Sequence, residues 1–262
     1  MKKKSRNKTY IKKLVAVFGG ITLLAIITGI FFQHANHTNY TLSYVPKCDM
    51  KWPYKDLTYG NYSGNYDGID ISHHQGLIHW DELKSNKHIK FIYIKATEGY
   101  LQQDPCYERN ISEAQRHGFL VGSYHFLSKN AKGNIQFDHF NNVVNKERQD
   151  LRPLIDCEDD GTKGWSKKEI QKNLNDFINA CIEEYGIAPI IYCSESYYKD
   201  YLYPTFNKYT LFIASYDEKP MLPGKRKYDI WQHCRHGRIP GIWNWVDLDK
   251  FGDNMTVENI KL

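Results

Sequence analysis

From Tyr66 onward, short apolar runs with strand spacing alternate with segments of helical spacing, and few folds are open to a chain patterned in this way. Tyr66–Ser72 reads as a strand, Trp80–Asn86 as a short helix and Ile89–Thr97 as an apolar strand. Pro105–His117 follows as a helix with a proline near its first turn. Gly118–Leu127 is then a strand, Asn134–Lys146 a helix and Leu151–Glu158 a strand. The long amphipathic segment Ser166–Tyr185 has Ser166 three residues before Glu169, the spacing of a capping box. Ala188–Ser194 is the next strand, and Tyr209–Tyr216, Tyr228–His233 and Arg238–Val246 follow it with little room for helix. Apolar strands joined through helices argue for a parallel sheet covered by helices. About eight strands in ~200 residues fit a compact α/β barrel, with few helices in its last third, better than an open sheet.

Reactive groups in such barrels collect at the C-terminal ends of strands. The residues expected there are Asp70, Glu98, Tyr124 with His125, Asp156 with Glu158, Tyr192, Tyr216 and Gln232. Asp156-Cys157-Glu158 is the most informative of these. Residues two apart on a strand point the same way, so both acids share one patch while Cys157 faces the other side. Crowded carboxylates resist joint ionisation, which raises at least one apparent pKa and keeps a proton available for donation. The plainer reading is a solvated acidic loop, because Asp159, Asp160 and a turn at Gly161 come next.

The formal net charge of +5 divides unevenly. Residues 1–13 carry seven Lys or Arg and no acid; without them 28 basic residues face 30 acidic ones, a net of −2. The body of the chain therefore has no electrostatic case for nucleic acid. Residues 14–32 are uncharged, and these 19 residues would reach ~28 Å as a helix, close to the hydrocarbon thickness of a bilayer. The basic cluster before the span predicts a cytoplasmic N-terminus and an exported body. A cleaved signal is the alternative, but the run is longer than an ordinary signal core, and Gln33-His34-Ala35 is a poor cleavage site. The expected order is thus a basic tail at 1–13, one transmembrane helix at 14–32, a linker at 33–65 and a catalytic domain at 66–262. All six cysteines (Cys48, Cys106, Cys157, Cys181, Cys193, Cys234) lie beyond the span, where oxidation is possible. Without any CxxC spacing they do not read as a zinc ribbon, and their pairing is open.

Asp67-Gly68-Ile69-Asp70-Ile71-Ser72, with Gln75-Gly76 and Trp80, resembles the opening of the glycoside hydrolase family 25 lysozymes. Further segments agree in order: Ile94 to Gly99, Gly122 to Phe126, Leu154 to Glu158, Ile191-Tyr192, Phe212 to Tyr216 and Ile230-Trp231-Gln232. Gly237 to Ile242, Val246-Asp247-Leu248 and Phe251 continue the pattern. The resemblance implies a modified TIM-like (β/α) barrel that cleaves the β-1,4 bond between N-acetylmuramic acid and N-acetylglucosamine in peptidoglycan. No metal or cofactor is implied, and a monomer is expected. Carried over by position, Asp70, Asp156 and Glu158 form the acidic floor of the groove, with Glu158 as general acid. Either a carboxylate attacks the anomeric carbon, or Asp156 orients the sugar's own 2-acetamido oxygen to do so. Because Asp156 and Glu158 share one strand end, the second is preferred, and Asp70 is left as the direct nucleophile or charge stabiliser. Glu98, Tyr124, Tyr192, Tyr216 and Gln232 are expected to line the groove, and Asp247 to be structural. Departures from the family pattern are modest: His79 stands where an Asp commonly precedes the Trp, and Asp159-Asp160 adds negative charge.

Rival chemistries fit less well. A chitinase-like enzyme would carry a further Asp where Leu154 stands, and a metal-dependent deacetylase would need a His-x-x-x-His spacing that His73, His74 and His79 do not provide. An anchored peptidoglycan-binding module without turnover is the non-enzymatic alternative, and the intact acids argue against it.

Overall fold

A computed structural model describes residues 65–262. The basic tail, the apolar span and nearly all of the linker expected from the sequence lie outside the described residues. Among those described, no helix is long and apolar enough to cross a membrane.

Strands β1 (Gly68–Ile71) and β2 (Phe91–Glu98) pair in parallel, with the short helix α1 (Trp80–Leu83) between them. A two-residue strand β3 (Gln102–Gln103) folds back on the end of β2 and leads to α2 (Tyr107–Arg116). Next come β4 (Val121–Phe126), α3 (Gly133–Val143), β5 (Leu154–Asp156), the single turn α4 (Asp159–Thr162), α5 (Lys167–Tyr185) and β6 (Ile190–Ser194). A short α6 (Glu195–Tyr197) runs into a π-helical turn before β7 (Leu211–Ala214), β8 (Ile230–Gly237) and β9 (Val246–Phe251). The sheet closes because β1 bonds to both β2 and β9, giving an eight-stranded barrel with β3 as an appendage. After β7 no α-helix occurs among the described residues, as the sequence predicts.

Helix α5 starts as its sequence dictates. Ser166 Oγ accepts from the Glu169 N–H, and the Glu169 side chain accepts from the Ser166 N–H, so two otherwise orphaned amides are satisfied reciprocally.

The parallel arrangement expected from the sequence needs one correction. Strand β9 runs antiparallel to both β8 and β1. A parallel return requires a crossover of about a dozen or more residues, and only residues 238–245 join β8 to β9. That segment was expected to be a strand and is instead a loop, with β9 beginning where the expected strand ends. Pro240 cannot donate to a ladder, and Gly241 adopts φ +93°, a left-handed conformation open chiefly to glycine. The loop packs against α1, where the His79 N–H donates to the Gly241 carbonyl at 2.8 Å.

Alternation along the strands sorts their side chains into two layers. Ile92, Ile94, Ile155, Cys157, Ile191, Cys193, Ile213, Val246 and Leu248 face outward into the core shared with the helices. Phe91, Tyr93, Leu154, Ile190, Tyr192, Phe212 and Ile230 fill the barrel interior. A side chain of this size contributes roughly 1.5–3 kcal/mol when fully buried, so the barrel is closed by a packed apolar plug. Polar side chains are left for the layer above it, at the C-terminal ends of the parallel strands. Cys157, Cys181, Cys193 and Cys234 are free and buried, whereas Cys106 is disulfide-bonded.

Candidate active site

The layer above the plug is a cavity of about 170 Å³ lined by Asp70, Tyr93, Tyr124, Leu154, Asp156, Glu158, Tyr192, Phe212, Tyr216, Gln232 and Asp247. Strand phase explains the set. Asp70 is the third residue of β1, and Ile69 and Ile71 on either side point into the outer core. The ladder of β5 ends at Asp156, but Glu158 keeps an extended backbone (φ −128°, ψ 159°), so the alternation continues. Asp156 and Glu158 therefore line the cavity together while Cys157 is buried against the helices.

One hydrogen-bonded chain ties the far wall to Asp70. The Tyr192 and Tyr216 hydroxyls each donate to Gln232 Oε1 at 2.7 Å, and Gln232 Nε2 donates to Asp70 Oδ2 at 2.7 Å. The Asp70 carboxylate, an acceptor, orients the Gln232 amide, because the amide nitrogen can only donate. Asp156 is treated differently: its Oδ1 is buried and has no hydrogen-bond partner within the protein.

Electrostatics separate the acids. Burial pushes Asp70 up to about 6, with the Gln232 hydrogen bond acting against it and Glu158 adding to it. Asp156 lies well above the ordinary carboxylate range, first through burial and then through Glu158, while Lys95 opposes the rise. Glu158 is also raised, by burial and by the Asp160 charge, again against Lys95. The crowding inferred from the sequence is thus present, but desolvation outweighs repulsion.

Two expectations are corrected. Glu98 does not line the cavity; at the end of β2 it pairs with Lys95, Nζ to Oε2 2.7 Å, and this ammonium also lies 4.8 Å from the centre of the Phe126 ring. Asp247 is not merely structural, since it lines the cavity wall opposite Asp70 in the β1–β9 ladder. Burial and the Asp70 and Glu158 charges push its pKa to about 9, with Arg235 opposing. His125, one residue from Tyr124, faces away from the cavity: its ring stacks on Phe177 and contacts Thr97 and Gln136, and burial lowers its pKa to about 3.

The sequence profile described as Glycosyl hydrolases family 25 matches residues 69–242, which begin at β1 and include Asp70, Asp156, Glu158 and Gln232. The chain belongs to this family. As a family 25 glycosyl hydrolase it is a glycosidase of the lysozyme type. It is 30% identical over 198 residues to YegX of Escherichia coli strain K12, covering 74% of this chain and 71% of that one. The autolytic lysozyme of Clostridium acetobutylicum is 31% identical over 191 residues, covering 72% of this chain and 57% of its own length. Among solved structures, a family 25 glycosyl hydrolase from Bacillus anthracis superposes with a TM-score of 0.69 at 29% identity, over 80% of this chain and all of that one. A bacterial lysozyme from Streptomyces coelicolor gives 0.66 at 28% identity, over 76% and 96% of the two chains.

Proposed function

We propose that this family 25 hydrolase is an N-acetylmuramidase, cutting the β-1,4 bond between N-acetylmuramic acid and N-acetylglucosamine with assistance from the substrate's own 2-acetamido group. The observation that carries this reading is the free, buried Oδ1 of Asp156 on the wall that also presents Glu158. A buried acceptor without a donor suits the N–H of an incoming acetamido group. Accepting that hydrogen bond would swing the acetamido oxygen towards C1 and hold it there. Glu158, whose pKa burial and the Asp160 charge raise, gives its proton to the departing glycosidic oxygen and takes one back from water in the second step. Asp70 supplies negative charge to the oxocarbenium-like transition state from another strand. Tyr124, Tyr192 and Tyr216 offer ring faces and hydroxyls to an amphipathic sugar. All of these groups come from one chain, so a monomer suffices.

Purified peptidoglycan digested with the enzyme should yield disaccharide peptides with N-acetylmuramic acid at the reducing end, identified by mass after borohydride reduction. Free stem peptides, or N-acetylglucosamine at the reducing ends, would contradict the assignment. The arrangement of residues 1–32 further supports a cytoplasmic tail, one membrane span and an exported catalytic domain. The full chain should then fractionate with membranes and keep its N-terminus; a soluble form beginning near residue 36 would instead identify a cleaved signal.

A further inference from the structure

Strand β9 places a second acid beneath Asp247. In the sequence Val246-Asp247-Leu248-Asp249, Val246 and Leu248 lie in the outer core, so both aspartates point into the barrel. Asp249 is fully buried, opposite Gly68 of β1 and Gln232 of β8. Gly68 offers no side chain to it. The Phe91 ring lies 2.2 Å from where a Cβ on Gly68 would stand, so the β1 side of Asp249 is walled by hydrocarbon. No protein donor reaches either carboxyl oxygen of Asp249. The polar group it meets is the carboxyl of Asp70, the diagonal neighbour in the ladder, which is itself an acceptor. Two buried carboxylates in contact resist joint ionisation, and one proton between them turns the clash into a hydrogen bond.

The other groups facing the pair bear on which acid keeps that proton. Asp247, Glu158 and Asp156 are acids whose ionisation would oppose that of the pair, Tyr93, Tyr124, Tyr192 and Tyr216 are raised by burial, and the nearby cations act elsewhere, Lys95 on Asp156 and Glu158 and Arg235 on Asp247. Asp70 already receives the amide of Gln232, which favours its charged form, whereas Asp249 receives nothing. We infer that Asp249 is held as a neutral carboxylic acid whose O–H donates to the Asp70 carboxylate, so that Asp249 and Gln232 together fix the orientation and charge of Asp70. Asp249 is thereby a positioning residue: sealed below the cavity, it acts on sugar only through Asp70. This role rests on Asp70 being the working carboxylate of the muramidase site proposed above.

Two substitutions separate this role from its rivals. Asp249→Leu removes the donor at similar volume. It should lower kcat by roughly 10- to 100-fold with little change in KM, and move the acidic limb of the kcat/KM profile up by about one pH unit. Asp249→Asn keeps an N–H donor that cannot ionise, and should recover most of the lost rate and return the acidic limb towards the wild-type position. If Asn falls as far as Leu, Asp249 works as an ionised group; if Leu changes neither rate nor profile, it positions nothing. Either result overturns the inference. Carboxyl carbon NMR of the unmutated full chain reads the same claim without activity and without reliance on the folding of a variant. The Asp249 signal should stay that of a protonated acid through pH 7 while Asp70 titrates below it, and an ionised Asp249 at pH 7 would overturn the inference. An enzyme that failed to cleave peptidoglycan but gave the expected NMR result would refute the proposed function and not the proton.

Discussion

Glu158→Gln should lower kcat on peptidoglycan by roughly 10²–10⁴ while glycan affinity stays near that of the unmodified enzyme. Glutamine preserves the shape of the side chain and its capacity to hydrogen-bond but has no proton to surrender to the leaving oxygen. The loss should fall on kcat because protonation occurs only as the bond breaks, whereas sugar binding draws on the tyrosines and the cavity walls. Glu158 suits this role better than Asp156 for a structural reason. It is only partly buried, with Asp159 and Asp160 alongside, so it can meet both substrate and water, whereas Asp156 lies deeper with an unused acceptor. Single-turnover rates and equilibrium binding of glycan fragments, measured on the same variant, check the prediction. A near-normal kcat would remove Glu158 from the role.

How far the sequence reached depends on strand phase. Asp156 and Glu158 could be placed on one wall from the sequence alone, because their two-residue spacing holds in any extended segment, including one whose ladder has already ended. Asp70, Tyr124, Tyr192 and Gln232 sit within their strands and Tyr216 just beyond β7, and all five line the cavity as the sequence reading expected. Asp247 was read as structural and Asp249 was not singled out, and the strand expected at Arg238–Val246 stops short of both. Moving it to Val246–Phe251 sets both acids on the inner face at once, and the Pro240-Gly241 pair was the local signal for that boundary. Glu98 was placed by its position at the end of β2, but its carboxylate is taken up by Lys95 and does not line the cavity. Lys95 itself was overlooked as one cation in an apolar run, yet its charge opposes the upward shifts of both Asp156 and Glu158. The Gln232 to Asp70 hydrogen bond joins residues 162 positions apart and exists only once the barrel has closed.

The second large effect concerns the substrate. If the 2-acetamido oxygen attacks C1, an otherwise matched glycan with a free amine at that position lacks its nucleophile, and Asp156 lacks the N-acetyl group it is placed to orient. Turnover of de-N-acetylated peptidoglycan should therefore fall by at least about 10²-fold, the scale expected when a positioned reacting group is lost. Asp156→Asn should be impaired on N-acetylated glycan and gain little further penalty on the de-N-acetylated one, because both changes remove the same interaction. Penalties that simply multiply would show that Asp156 and the acetamido group act separately. Direct attack by Asp70 predicts otherwise, tolerating the free amine and leaving sugar attached to the protein. On the proposed mechanism the hydrogen bond from Gln232 holds Asp70 as a charge stabiliser instead.

Proton NMR of the first products from N-acetylated glycan tests the central claim most directly. Acetamido participation inverts C1 once on forming the cyclic oxazolinium species and again when water opens it, so the new reducing end should be N-acetylmuramic acid appearing first as the β anomer and only later mutarotating. An initial α anomer would mean a single displacement by water assisted by a distant base, and would contradict the mechanism drawn from Asp156 and Glu158.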